Sequence, residues 1–255
     1  MSLELNYKVF GEGEPVIILH GLFGMLDNWQ TFAKKLAEDY MVYIIDHRDH
    51  GKSPHTDTFN YPVLAEDLQQ FMEANWIHEA RLIGHSMGGK TVMQFAAEYE
   101  DMVKQLVVVD IAPVSYKPGH NEIFEALLSV DIDYVNGRSD VEATLSNYIS
   151  DVGVRLFLMK NLQRKKEGGY RWKMNLELLH KEYEHIIANV SKATVETNTL
   201  FVRGEKSKYI VEEGEAAIAE YYTNAEVKTV KGAGHWIHAE QPDILLEMVK
   251  TFFQE

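Results

Sequence analysis

The chain has 255 residues, 45% hydrophobic and 25% charged, an ordinary globular composition long enough to bury a core without staples. Its 25 Lys and Arg against 39 Asp and Glu leave a formal charge of −14. That balance argues against nucleic acid or an anionic membrane as partner, because both are held mainly by Lys and Arg. With no cysteine, disulfides, thiolate metal sites and a thiol nucleophile are excluded, and a reducing, cytoplasmic setting is expected. The opening MSLELNYKVFGEGEP has no basic stretch followed by a long apolar one, so no signal peptide is expected. No apolar run approaches the ~20 residues that span a bilayer.

Residues 3–10 alternate Leu3, Leu5, Tyr7 and Val9, as an antiparallel edge hairpin would. Apolar runs at 16–19, 41–45, 81–84 and 105–109 read as buried strands. Helix-length stretches at 26–38, 62–74 and 88–98 lie between them, and Leu64, Leu68, Phe71 and Met72 recur at helical spacing in the second. Such alternation builds right-handed crossovers and a mainly parallel sheet. From 113 to 190 the pattern changes to helices at 122–130, 141–150, 154–162 and 175–189, with no clear strand. Alternation resumes with a strand at 199–202, a helix at 211–222, a strand at 225–230 and a last helix at 242–253. The helical block predicts a lid over the C-terminal strand ends, where open α/β sheets hold their ligands.

Gly84-His85-Ser86-Met87-Gly88 places G-x-S-x-G between a predicted strand and a predicted helix. So sharp a turn strains the serine backbone and lifts its Oγ above the sheet, which makes Ser86 the candidate nucleophile. A nucleophilic serine needs donors aimed at the developing oxyanion. One is the N–H of Met87; the other belongs to the loop His20-Gly21-Leu22-Phe23-Gly24, from Leu22 or its neighbour Phe23. The base is expected after the last strand, where Gly234-His235-Trp236 stands, so His235 is chosen from eleven histidines. His238 reads as packing near the last helix.

The acid is harder to place. The loop after the penultimate predicted strand holds Glu205 and Ser207 but no Asp. Asp110 follows four apolar residues, where an unpaired charge would be costly to bury. It is the first candidate, with Glu205 the alternative. The order Ser86, Asp110, His235 suits this kind of triad. Asp46-His47-Arg48-Asp49-His50 has metal-ligand residue types, but Arg48 in their midst disfavours a dication, so no metal is expected. Arg155, Lys160, Arg164, Lys165, Lys166, Arg171 and Lys173 form a basic stretch that reads first as a solvated face. Its functional alternative is a positive field drawing in an anionic substrate.

HGLFG, DHRDHGKSP, GHSMGGK, VDIAPVSY and GAGHWIHAEQPD together resemble the YbfF-type esterases of the α/β-hydrolase superfamily, over nearly the whole chain. The resemblance implies an α/β-hydrolase fold: a mostly parallel eight-stranded sheet flanked by helices, with a helical lid after the sixth strand. The core is then 1–112 and 191–255, and the lid 113–190. It further implies hydrolysis of short-to-medium acyl esters, with acyl-CoA thioesters as plausible substrates, and no cofactor. It puts the acid at Asp110 with Ser207 as a supporting fourth member, and Arg48 beside the nucleophile loop. His20, Phe23, Arg48, His85, Phe124, Trp172 and Trp236 are the candidate substrate-binding residues. The rival functions are carbon–carbon bond hydrolysis or perhydrolysis on the same triad, or a non-catalytic ligand-binding homologue.

Overall fold

Runs of Val, Ile and Leu without polar interruption form strands only where both sheet faces are covered. In a computed structural model describing residues 3–255, these runs make the centre of one sheet. Met1 and Ser2 of the expected core lie outside the described residues. The first half of the chain runs β1 (Tyr7–Phe10), β2 (Pro15–Leu19), α1 (Gln30–Leu36), β3 (Met41–Ile45), α2 (Tyr61–Ala74), β4 (Ala80–His85), α3 (Met87–Glu98) and β5 (Val103–Val109). An inserted segment follows: α4 (Asn121–Leu128), α5 (Arg138–Ser146), α6 (Val152–Leu158), β6 (Leu162–Arg164), β7 (Tyr170–Trp172), α7 (Leu176–Lys181) and α8 (Tyr183–Ile187). The chain then returns through β8 (Thr199–Gly204), α9 (Glu212–Tyr221), β9 (Ala225–Val230), α10 (Ile237–Glu240) and α11 (Pro242–Phe253).

The main sheet has the order β1-β3-β2-β4-β5-β8-β9, parallel throughout except for β1 against β3. The mostly parallel α/β sheet is therefore as expected, but among the described residues it has seven strands, not eight. The insertion accordingly follows the fifth strand rather than the sixth. Residues 3–6 form no strand, and both counts fall one short. Leu5 turns into the core; at Asn6 the carbonyl still accepts the Asp46 N–H at 2.9 Å, while the Asn6 N–H donates to Ser53 Oγ and its side-chain amide to Asp46. Nor does β1 fold back on β2 as a hairpin. Strand β3 lies between them, pairing Tyr7 with Ile45 on one edge and Leu19 with Ile45 on the other.

The insertion is not wholly helical. β6 and β7 pair antiparallel, Leu162 with Trp172, across a turn in which Gly168 and Gly169 both have positive φ. One apolar cluster runs unbroken from Leu19, Leu82, Val108 and Phe201 on the sheet to Phe124, Leu145, Leu158 and Leu179 of the insertion. The opposite sheet face packs Val16, Ile44 and Val107 against α1 and α11. A buried ammonium fastens the insertion to α3. Lys90 Nζ donates to the Val114 carbonyl at 2.7 Å, the Ile187 carbonyl at 3.3 Å and the Ala188 carbonyl, so one side chain holds both ends of the segment.

Candidate active site

Strand β4 passes into α3 within one residue, and Ser86 takes the strain with φ 54° and ψ −118°. The tightness explains the flanking glycines. A Cβ on Gly88 would lie 2.5 Å from the Leu19 carbonyl oxygen, and one on Gly84 would collide with the Gly88 carbonyl. Ser86 Oγ lies 3.1 Å from His235 Nε2, and His235 Nδ1 lies 2.7 Å from Asp110 Oδ2. With the proton on Nδ1 donated to the carboxylate, Nε2 is left to accept from the serine hydroxyl.

Asp110 is fully buried at the tip of β5, with φ 54°. Its charge is met by a ring of donors: the Gly204 N–H to Oδ1 at 2.9 Å, and the Ser207 hydroxyl together with the imidazole to Oδ2. Buried charge is tolerable only when satisfied in this way. Glu205 instead accepts the Gly232 N–H at 2.8 Å, so it braces the histidine loop and does not touch the ring. Glu240 braces the same loop through the Gly234 and Trp236 amides. Tyr209 stacks on the His235 ring at 4.0 Å between centroids. His85 Nε2–H donates to the His235 carbonyl at 2.9 Å.

Met87 is the first residue of α3, where N–H groups have no intrahelical acceptor. Leu22 faces Ser86 from the 20–24 loop, whose turn is closed by Gly24 N–H to the Gly21 carbonyl at 3.0 Å. Phe23 sits at φ 60° with its carbonyl held by Asn161 Nδ2 at 2.7 Å. His20 supports this loop from within. Its Nε2 accepts the His47 N–H at 3.1 Å, so its proton lies on Nδ1 and goes to the Gly21 carbonyl. Burial pushes its pKa down to about 4, so it is neutral at pH 7.

Two cavities meet at Ser86. A smaller one, about 70 Å³, includes His20, Phe23, His85, Phe157, His235 and Trp236 on its walls. A larger one, about 530 Å³, includes Tyr61, Met87, Lys90, Ile111, Tyr116 and Ile186. Three of the expected substrate-binding residues are not brought to Ser86. Arg48 clamps Asp67 of α2 through two nitrogens at 2.6 and 2.7 Å and lines neither cavity, so it does not reach the nucleophile loop. Phe124 is core, with its ring 5.1 Å from Phe23 and 5.0 Å from Tyr183. Trp172 lines a separate cavity with Lys52, His55, Arg171 and Lys173.

The carboxylates of the 46–50 run have other work. Asp46 accepts the Leu26 and Lys52 amides at 2.7 and 2.9 Å, and Asp49 holds Thr56 and Asn175. Among the described residues no three His, Cys, Asp or Glu side chains are placed to hold a metal ion. Sequence reasoning missed Tyr209, His120, Lys90, Tyr61 and Tyr116. Of these, Lys90 ends the GHSMGGK motif, Tyr116 ends VDIAPVSY, and Tyr209 stands two residues beyond Ser207.

Over residues 14–242 the chain matches the family model described as alpha/beta hydrolase fold. The chain belongs to this family. It is 35% identical to "Esterase YbfF" of Escherichia coli (strain K12), over 94% of this chain and 93% of that protein, as the motifs led us to expect. It is also 35% identical to "sn-1-specific diacylglycerol lipase ABHD11" of Danio rerio, over 99% of this chain and 83% of that one. A solved structure, "Marine microorganism esterase", shares 43% identity and a TM-score of 0.96, covering 98% of this chain and 100% of its own.

Proposed function

We propose that this α/β hydrolase is a serine esterase acting on acyl esters through an acyl-enzyme on Ser86. The observation that carries the reading is the unbroken relay of 3.1 Å from Ser86 Oγ to His235 Nε2 and 2.7 Å from Nδ1 to Asp110. As Oγ attacks the ester carbonyl, its proton passes to His235 Nε2. We assign the oxygen that becomes negative to the Met87 amide at the start of α3 and to an amide of the 20–24 loop, Leu22 first and Phe23 as the alternative. Collapse of the tetrahedral intermediate breaks the bond to the alcohol, which leaves with the proton from Nε2. Water then repeats the sequence with His235 as base, releasing the acid and restoring Ser86. Asp110 holds the imidazole in the required tautomer, and the Ser207 hydroxyl and the Gly204 amide hold that carboxylate still. None of these steps calls on a cofactor. Esterase and lipase relatives at 35% identity support ester hydrolysis as the reaction.

Ser86→Ala should abolish covalent labelling by a fluorophosphonate and turnover of p-nitrophenyl butyrate, with an unchanged circular dichroism spectrum. Labelling retained in the variant overturns the assignment. The same chemistry opens thioesters, and acyl-CoA is a second reading, one that a site restricted to small leaving groups would exclude. Support comes from Lys160, Arg164 and Lys166, exposed on the insertion and without an ion-pair partner among the described residues. Attraction of that kind is screened by salt, so kcat/KM for an acyl-CoA should fall as salt rises while that for a neutral ester holds.

A further inference from the structure

The four bonds of a tetrahedral intermediate on Ser86 have four directions to go, and the surroundings distinguish them. One bond is to Oγ, and the oxyanion points to the Leu22 and Met87 amides. The leaving oxygen must lie where His235 Nε2–H can reach it, because that proton is what the alcohol takes away. The acyl chain takes the remaining direction.

The two cavities differ in the features that decide this. His235 lines the small cavity of about 70 Å³, with Trp236, Phe157 and Val154 beyond it. It does not line the large cavity of about 530 Å³, which Ser86 and its neighbour Met87 both line. Leu22, Ser86 and His120 are common to both, so the serine stands at the fork and His120 is the wall between the branches. That wall is fixed. Tyr183 Oη accepts the Gly119 and His120 amides at 3.1 and 3.0 Å, leaving its own proton for His120 Nδ1 at 2.7 Å. The large branch is lined by Ile111, Ile186, Ile187 and the rings of Tyr61 and Tyr116. Of the three lysines on its wall, Lys90 is engaged by the carbonyls of Val114, Ile187 and Ala188, and Lys117 and Lys208 are exposed to solvent.

We propose that the acyl chain enters the large cavity and the alcohol the small one, so that the preferred substrates are esters joining an extended apolar acid to a small alcohol. This rests on Ser86 and His235 acting as described under Proposed function, and it adds which side of the ester the enzyme selects. Burying each methylene of the acyl chain is worth ~0.8 kcal/mol, about fourfold in kcat/KM, until the cavity is full. On the alcohol side each added carbon meets Phe157 and Trp236.

The test varies the two halves of the ester independently. In p-nitrophenyl esters from acetyl to decanoyl, kcat/KM should rise by about fourfold per methylene over the first several carbons. In butyrate esters from methyl to hexyl alcohol, followed by acid release, it should fall. Ile186→Trp should lower the octanoyl-to-acetyl preference by about tenfold, and Phe157→Ala should raise the hexyl-to-methyl preference by a similar factor. The reverse pattern, with long alcohols favoured and acyl groups beyond acetyl rejected, overturns the orientation while leaving the hydrolase reading intact. So does Ile186→Trp acting on the alcohol series alone. An intact wild-type fold with no turnover of any ester and no fluorophosphonate labelling overturns the hydrolase reading, and this proposal with it.

Discussion

Asp110, the carboxylate hydrogen-bonded to His235, shows what one residue contributes and what the sequence can say about it. Ser86 and His235 were readable because each sits at a fixed offset from glycines that only a tight turn requires. Asp110 was not readable by offset alone, since Glu205 stands nearer the expected loop. What separates them is three-dimensional: β5 and β8 are neighbours, so the tip of β5 comes under the imidazole, while Glu205 turns to the Gly232 amide. Replacing Asp110 with Asn should lower kcat by about 10⁴-fold, the scale on which loss of the correct imidazole tautomer is felt. Glu205→Gln should leave the kcat pH profile in place. Equal losses in the two variants would refute the assignment. Ser207→Ala removes a hydrogen bond to a charged oxygen, worth about 1.5–3 kcal/mol, and should lower kcat about tenfold or more. It should also move the acid limb of the kcat pH profile, which a merely structural serine would leave where it is.

At the level of elements, regular strands and the helices, those of the insertion included, were legible, whereas the hairpin inside the insertion and the side chain that fastens it were not. Strands β2 to β5 are apolar on both faces and α11 begins at a proline, so their patterns stand clear of the surrounding sequence. The β6–β7 hairpin was missed because three residues per strand are too few to show a period of two; its glycine pair was the available sign. Lys90 was missed for a different reason. Beside Gly88 and Gly89 it looks like an ordinary helix lysine, and only the returning chain reveals its three carbonyl acceptors. Burial pushes its pKa down to about 7, and the carbonyls act in the other direction by favouring the ammonium. Lys90→Met would leave three carbonyls without their donor, at a cost of about 3 kcal/mol or more. With ~2–4 °C per kcal/mol for a chain of this size, Tm should fall by roughly 6–12 °C. Hydrogen exchange should quicken first around Val114 and Ala188, where the insertion joins the core. Uniform quickening across the sheet would show that Lys90 is a core residue and not a fastener.

The whole molecule carries an excess of negative charge and, inside it, a group of histidines that cannot easily be charged. Their number was visible in the sequence; their burial was not, because HGLFG and DHRDHGK read only as loops after strands, whereas His20, His47 and His50 pack together beneath the 20–24 turn. Burial lowers the pKa of His20 and His120 to about 4 and of His50 and His238 to about 3, and takes His47 and His85 well below the ordinary 6.5. Above pH 6.5 neither the native nor the unfolded chain protonates them. Below it the unfolded chain binds protons that the native state refuses, so stability is lost as pH falls from 6.5 through 4. For His20 alone the loss is on the order of 3 kcal/mol by pH 4. Acidification also trims the formal charge of −14, which relieves self-repulsion and acts the other way. Carboxylates scarcely titrate between pH 6.5 and 5, so the histidines dominate that interval. Tm should drop steeply there, and His238→Phe, which keeps a ring stacked on Trp29, should flatten the slope by one histidine's share. A melting temperature that holds or rises from pH 6.5 to 5 would mean that these rings accept protons in the folded state.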